Sequence, residues 1–99
     1  MYEEKKPRKD WILLLYVASM TPAAKRALAN IEAICTEHLD GQYEIEVIDL
    51  IQHPGLADDA QIFAVPTLVR QLPTPLRKLI GDLSNTEKVI VGLDIKPAT

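Results

Sequence analysis

Few side chains in this sequence of 99 residues have the type and spacing that catalysis requires. The only cysteine, Cys35, is a candidate nucleophile, but dithiol chemistry needs a C-x-x-C pair at the start of a helix, where the helix N-terminus lowers a thiol pKa. The first predicted helix begins instead with Ser19-Met20-Thr21-Pro22. Because Cys35 lies four residues after Ile31 on the apolar face of that helix, we interpret it as a small core side chain. Dithiol oxidoreductase activity is therefore not predicted.

Two histidines and two neighbouring aspartates are the other candidates for chemistry. His38 and His53 lack the E-x-x-H or C-x-x-C spacing of metal-binding motifs, so no metal site is predicted. Asp58 and Asp59 are adjacent, and adjacent side chains on a helix point in different directions, which indicates a solvated first turn rather than an acid/base couple. No glycine-rich loop precedes a helix, so no nucleotide cofactor is expected. The sequence predicts a protein that is not an enzyme and has no cofactor.

Composition indicates one globular domain, with 47% hydrophobic and 25% charged residues. A net charge of −3 and a pI near 5.3 argue against nucleic acid as a partner. The longest apolar run, Trp11 to Ala18, has eight residues, too few to cross a membrane, and it lacks a signal-peptide cleavage site. We expect a cytoplasmic protein with a flexible N-terminal tail (residues 1–10), one domain (residues 11–95) and a C-terminal tail (residues 96–99).

The first half of the domain, residues 11–50, has a single interpretation. The apolar run from Trp11 predicts a strand buried on both faces. Thr21 and Pro22 then provide an N-cap and a first helical residue, and Asp40-Gly41 ends the helix. The segment Tyr43 to Leu50 alternates apolar residues with Glu44 and Glu46, which predicts a strand with one wet side, nearer an edge. This order predicts a right-handed crossover between parallel strands.

The second half, residues 51–95, can be interpreted in two ways. "PTPLRKLIGDL" fits a helix or a strand, and "SNTEKVIVGLDI" fits a helix capped by Ser84 or a strand with apolar residues at period two. With a helix in "LADDAQIF", strands at Thr67–Leu72 and Leu76–Ile80, and a helix from Ser84, the order is βαβαββα, that of thioredoxin. Val65-Pro66 then occupies the position of the cis-proline in such folds.

Four segments together resemble the KaiB family, whose members partner the KaiC ATPase in the bacterial circadian clock and related timing systems: "LLLYVASMTPAAKRAL", "GQYEIEVIDL", "HPGLADDAQIFAVPTLVRQLP" and "PLRKLIGDLSNTEKVIVGLDI". The resemblance implies a metamorphic α/β protein, with a homotetrameric ground state ordered βαββααβ and a thioredoxin-like monomer ordered βαβαββα. The two folds share residues 11–50 and differ over residues 51–95. We expect the isolated chain to have the ground-state order, because high concentration favours the tetramer. Pro75–Leu83 would then be helical and Val89–Leu93 a strand.

The same resemblance implies functional positions. The monomer of this family docks on the N-terminal ATPase ring of the KaiC hexamer, and the matching positions for that surface are Trp11, Arg26, Gln52, Leu56, Asp58 and Asp59. The positions where the two folds demand different backbone or burial are Pro66, Pro75, Gly92 and Asp94. From local preference alone, Gly92→Ala and Asp94→Arg are both expected to favour the helical form of the last segment.

Some positions depart from the family pattern. Clock members carry Gly-Asn at Ser19-Met20 and a lysine at Glu46. The second strand is the edge that the family uses for the activator KaiA, so the acidic Glu44 and Glu46 argue against KaiA binding and leave open whether the chain competes with the SasA kinase. We interpret the chain as a divergent or non-cyanobacterial member, serving a daily clock or a KaiC-linked stress response. The alternatives are a thioredoxin-like redox protein and a tetrameric scaffold that never switches.

Overall fold

The computed structural model describes residues 10–96, and the remaining residues of the two predicted tails lie outside it. The chain folds in the order βαβαββα. The elements are β1 Trp11–Val17, α1 Pro22–His38, β2 Tyr43–Asp49, α2 Gly55–Ala60, β3 Thr67–Leu72, β4 Arg77–Ile80 and α3 Thr86–Gly92. This is the thioredoxin-like order of the two that the sequence allows.

One four-stranded sheet in the order β2-β1-β3-β4 organises the domain. β1 pairs parallel to β2 and antiparallel to β3, and β3 pairs antiparallel to β4. The predicted parallel crossover and the edge position of β2 are therefore confirmed. β1 lies inside the sheet and is buried from Leu13 to Val17, as its unbroken apolar sequence predicts.

Alternation along the strands divides the core into two clusters. The larger cluster holds Leu13, Leu15 and Leu68 of the sheet, together with Ile31 of α1 and Leu93 at the end of α3. The smaller cluster holds Leu14, Tyr16 and Val69 of the sheet, and alanines of α2 pack against it. Helices α1 and α3 therefore cover one face, and the short α2 covers part of the other.

Side-chain caps explain where α1 and α3 begin. Thr21 Oγ1 accepts a hydrogen bond from the backbone N–H of Ala24 at 3.1 Å, and Pro22 is the first residue of α1. In α3, Asn85 Oδ1 accepts from the N–H of Lys88 at 3.1 Å. The predicted cap at Ser84 is therefore wrong by one residue. Asn and Ser are both good N-caps, so sequence alone does not choose between neighbouring candidates.

The ground-state order expected for the isolated chain is not the order observed. Arg77–Ile80 forms a strand where a helix was expected, and Thr86–Gly92 forms a helix where a strand was expected. Val89 and Leu93 are buried while Val91, between them, is 76% exposed, which is the periodicity of a helix rather than of a strand. Our expectation relied on burial between copies of the chain. In the single chain, the same apolar residues are buried against α1 and the sheet.

Two smaller predictions can also be compared with the structure. The Val65–Pro66 peptide bond is cis, as the thioredoxin-like order predicted. None of the helices in residues 10–96 is both long enough and apolar enough to cross a bilayer.

Candidate partner-binding surfaces

The turn between β2 and α2 is fixed by the end of β2. Asp49 Oδ1 accepts from the N–H of Ile51 at 2.9 Å and from the N–H of Ser19 at 3.3 Å. The N–H of Leu50 donates to the carbonyl of Val17 at 2.8 Å. These bonds connect the start of the second half to the β1–α1 loop. They fix the position of α2 relative to the sheet, although this helix has only 6 residues.

Two of the predicted partner-facing residues, Gln52 and Leu56, share a cleft beside α2. The cleft has a volume of about 290 Å³ and runs along the outer part of β2, where it includes Glu46 and His53. Leu56 is 38% exposed there. The structure therefore brings together a partner-facing pair and one of the two predicted edge residues, although 10 residues separate Glu46 from Leu56 in the sequence.

Asp58 and Asp59 are exposed on α2, and neither lines that cleft. Asp59 instead lines a cavity of about 340 Å³ on the other side of α2, with Tyr16 and Lys78. Lys78 Nζ donates to the carbonyls of Ala60 and Gln61 at 2.7 and 3.0 Å and so joins β4 to the end of α2. Both aspartates are exposed, which agrees with the predicted solvated turn.

Trp11 and Arg26 are not part of the α2 surface. Trp11 packs against the larger core cluster, on the face covered by α1 and α3. Arg26 extends from α1, and its Nε lies 3.2 Å from Oδ2 of Asp82 in the loop before α3. The six predicted partner-facing residues therefore fall on two faces of the sheet rather than in one patch.

The acidic strand edge is present as predicted. Glu44 and Glu46 are exposed on β2, which has no neighbouring strand on its outer side in residues 10–96. Burial, and secondarily the charge of Glu46, raise the pKa of Tyr16 on the adjacent strand. This edge presents negative charge next to unpaired backbone groups, an arrangement that favours a partner strand with positive side chains.

The four predicted fold-switch residues are spread through the second half. Pro66 is buried just before β3, and the carbonyl of Pro75 accepts from Arg70 Nη2 at 2.7 Å. Gly92 is the last residue of α3, where an added Cβ would lie 2.5 Å from Cδ2 of Leu79. Asp94 follows with a left-handed backbone, φ 57°. Each has a distinct local role in this arrangement.

Arg70 is a residue that the sequence analysis missed. It is only 2% exposed, on the inward face of β3 with Leu68, and its guanidinium lies 5.4 Å from the centre of the Trp11 ring. Nη1 donates to the carbonyl of Leu93. Burial lowers the pKa of Arg70, as does nearby Arg77, whereas Asp94 raises it. The available signal was alternation in "TLVRQL", which places an arginine on the same face as a buried leucine.

A KaiB domain model matches residues 14–95 of the chain. The chain belongs to the KaiB family. It is 48% identical over 86 residues to the circadian clock protein KaiB3 of Synechocystis sp., covering 87% of this chain and 84% of the relative. It is equally similar, 48% over 89 residues, to the circadian clock oscillator protein KaiB of Synechococcus elongatus, covering 90% of this chain and 87% of the relative. The resemblance predicted from the sequence is confirmed.

Solved structures similar to this KaiB-family chain share its fold at low identity. The N-terminal domain of SasA from Synechococcus elongatus superposes with a TM-score of 0.73 at 17% identity, covering 100% of this chain and 97% of that one. Chloroplastic thioredoxin z superposes with a TM-score of 0.68 at 18% identity, covering 88% and 80%. The thioredoxin-like fold is therefore confirmed, and these likenesses concern the fold alone.

The thiol of this KaiB-family chain lies away from the position of dithiol chemistry. The cavity between the start of α1 and Pro66, about 180 Å³, is lined by Thr21, Val65 and small apolar residues. Cys35 lies near the other end of α1 and is fully buried, and burial, then the charge of Glu32, raises its pKa to about 12. Its interpretation as a core residue is confirmed. Residues 10–96 contain no group of three or more His, Cys, Asp or Glu that could hold a metal ion.

Proposed function

We propose that this protein is a non-enzymatic regulator that binds the N-terminal ATPase ring of a KaiC-type hexamer and modulates its phosphorylation and ATPase cycle. The observation that carries this proposal is the family match over residues 14–95, together with 48% identity to relatives named as circadian clock proteins. The process is circadian timing or a related stress response, and the site of action is the cytoplasm.

The surface around α2 is the part of the docking face that the geometry supports best. Leu56 and Gln52 line a cleft of about 290 Å³, and Asp58 and Asp59 add negative charge on the same helix. Phe63, in the loop after α2, is 92% exposed, and an exposed aromatic residue near polar groups is a common anchor at interfaces. Trp11 and Arg26 contribute from the other face of the sheet, Arg26 through donors that its contact with Asp82 leaves unused.

The proposed regulation includes a slow change of fold in residues 51–95. The competent form is the thioredoxin-like monomer, and the resting form is a homotetramer with the order βαββααβ. The sequence of residues 51–95 supports this, since its segments fit a helix or a strand and local preference does not select one arrangement. Pro66, Pro75, Gly92 and Asp94 are the positions where the two forms would differ most.

The acidic edge of β2 bears on further partners. A regulator of the KaiA type would have to approach Glu44 and Glu46, so we propose that any strand added at this edge carries lysine or arginine. The fold likeness to the N-terminal domain of SasA supports competition between this chain and a SasA-like kinase for one ring.

Size-exclusion chromatography of the protein with and without a KaiC-type hexamer and an ATP analogue tests the proposal. The wild type should co-elute with the hexamer after prolonged incubation. Leu56→Asp should abolish co-elution, because it places a charge in the cleft. Ala33→Asp is the matched control, because Ala33 is exposed on α1, across the sheet from α2 and two helical turns from Arg26. Equal binding by both variants would contradict docking through the α2 surface.

Two other outcomes would replace the proposal. A wild-type tetramer that never binds the hexamer would support the scaffold alternative. Reduction of insulin disulfides that persists in Cys35→Ser would contradict a purely regulatory role, because it would require a redox group other than the only thiol in the chain.

A further inference from the structure

Arg70 joins three parts of the chain that are distant in sequence. From β3, its Nη2 reaches the carbonyl of Pro75 in the turn before β4, and its Nη1 reaches the carbonyl of Leu93, the C-cap of α3. The Trp11 ring of β1 lies against the guanidinium at 5.4 Å. One buried cation therefore contacts the first strand, the turn before the last strand and the end of the last helix.

The two carbonyls belong to the present arrangement of the second half. The end of a helix leaves backbone carbonyls without intrahelical partners, and a cation there is favoured by the helix dipole. In the order βαββααβ, residues 89–93 would be a strand and residues 75–83 a helix, so the helix end and the turn that present these carbonyls to Arg70 would not exist. The bonds of Arg70 thus discriminate between the two arrangements.

Because Arg70 is buried, loss of these two acceptors should cost more free energy than the loss of the same bonds at an exposed arginine. Arg70 as a residue is 2% exposed, so its guanidinium depends largely on protein acceptors, and its burial is unfavourable when those acceptors leave. Its Nε already has no hydrogen-bond partner among residues 10–96. Arg77 opposes the charge and Asp94 supports it. With so few compensating groups, the carbonyls of Pro75 and Leu93 are the contacts that keep Arg70 inside.

We propose that Arg70 stabilises the thioredoxin-like arrangement of residues 51–95 relative to the other arrangement. It does so by hydrogen bonding the end of α3 and the turn before β4 while its guanidinium contacts Trp11, and we call this set of contacts the latch. This inference rests on the fold change in the proposed function and names the residue that controls it. Since Trp11 is also a predicted partner-facing residue, the latch couples that position to the conformation of the second half.

Amide hydrogen exchange of the free protein, followed by NMR, tests the latch without any partner. Arg70→Lys retains the positive charge but cannot donate to both carbonyls at once. Arg70→Met removes the charge and keeps a long, unbranched side chain. Arg77→Met is the matched control, because Arg77 is an exposed arginine on the neighbouring strand. In both Arg70 variants, amides of α3 should exchange at least about tenfold faster, while amides of α1 change less than about twofold. Arg77→Met should not speed exchange in either helix, because it removes a charge that opposes the buried Arg70 cation.

Several outcomes would overturn the latch. If α1 and α3 lose protection equally in Arg70→Lys, Arg70 stabilises the whole core and not one arrangement. Unchanged α3 exchange in Arg70→Lys would also contradict it. Should Arg70→Met fail to fold, the lysine variant still decides the question. Failure of the wild type to bind the KaiC-type hexamer would refute the proposed function but leave these exchange rates, and so the latch, unaffected.

Discussion

Residues 11–50 and residues 51–95 contribute to one sheet, but they are stabilised differently. The first half consists of a strand, a helix and a strand of 7, 17 and 7 residues. The second half is built from elements of 6, 6, 4 and 7 residues. Helices this short are not stable alone in water, since isolated helices need about 12–15 residues. The second half therefore depends on contacts made by its neighbours.

Beyond the pairing of β3 with β1 and the shared apolar core, the contacts that position α3 are specific and few. Arg26 and Asn30 of α1 bind the side chain and the carbonyl of Asp82 at 3.2 and 2.8 Å, which holds the loop before α3. Arg70 donates a hydrogen bond to the carbonyl of Leu93 at the end of α3. The difference between the halves shows how a segment with balanced local preferences takes its conformation from a small number of tertiary contacts, and how loss of those contacts would release it without unfolding the rest.

The largest losses of stability should come from substitutions that create a cavity of similar size in each half. Leu15 in β1 and Leu93 after α3 are both 0% exposed, and replacement of either by alanine should cost about 2–5 kcal/mol. Leu15→Ala should lower the protection of every element, because β1 lies inside the sheet. Leu93→Ala should lower the protection of α3 and β4 first. Urea unfolding with residue-resolved hydrogen exchange measures both. A uniform loss in Leu93→Ala would contradict the separation of the halves.

A smaller effect is expected at Gly92, and the structure reverses the expectation from local preference. Helix propensity favours alanine by about 1 kcal/mol, but the added Cβ would lie 2.5 Å from Leu79 Cδ2, and overpacking costs about 1–3 kcal/mol. Gly92→Ala should therefore destabilise the domain by about 1 kcal/mol. In a Leu79→Ala background the same change should be stabilising. Chemical denaturation of the four proteins measures the coupling, and additive effects would contradict the predicted clash.

Substitution of Asp94 by arginine should also destabilise the domain, with a smaller change in the free energy of unfolding than at Gly92. Local preference predicts that Asp94→Arg favours the helical form, yet here it would bring a third cation near Arg70 and Arg77, where Asp94 now supports the charge of Arg70. We expect a loss of about 0.5 kcal/mol, typical of an exposed charge. Asp94→Asn is the control, since asparagine tolerates the left-handed backbone at φ 57°. Greater stability of the arginine variant by thermal unfolding would contradict this.

The smallest effect concerns acid stability through Asp82. Hydrogen bonds from Ser84, and then from Arg26, lower the pKa of this carboxyl below its ordinary value. A carboxyl with a lowered pKa stabilises the folded state above its unfolded pKa, and this contribution is lost as pH falls through the folded pKa. The stability difference between wild type and Asp82→Asn should be constant near neutral pH and shrink below about pH 4. Equilibrium unfolding at several pH values measures it, and a difference that grows in acid would contradict the assignment.

The sequence predicted the secondary structure correctly where local preference for a helix or a strand is strong. Where the two preferences are balanced, it left both assignments open. The apolar run of β1, the Thr21–Pro22 start of α1 and the edge strand β2 were all predicted, because each carries its own signal. The segment after Ser84 fits two periodicities, and its conformation is decided by burial of Val89 and Leu93 against the first half. Local pattern carries no information about such a partner.

The candidate surfaces were predictable only in part, for a related reason. Family resemblance supplied the partner-facing positions, but not that Trp11 and Arg26 lie across the sheet from α2. The role of Arg70 depends on carbonyls 5 and 23 residues away in sequence. Backbone acceptors carry no residue signature, so nothing in the sequence identifies them as partners of a buried arginine.

Residue-resolved hydrogen exchange of the free wild-type protein in low concentrations of denaturant tests the difference between the halves most directly. The account predicts that amides of β1 and α1 exchange only through global unfolding, with the full denaturant dependence. Amides of α3 and β4 should exchange through a separate opening of lower free energy and weaker denaturant dependence. If both sets gave one free energy and one slope, the domain would open as a single unit, which would contradict the claim that a few tertiary contacts hold α3 and β4 on the rest of the domain.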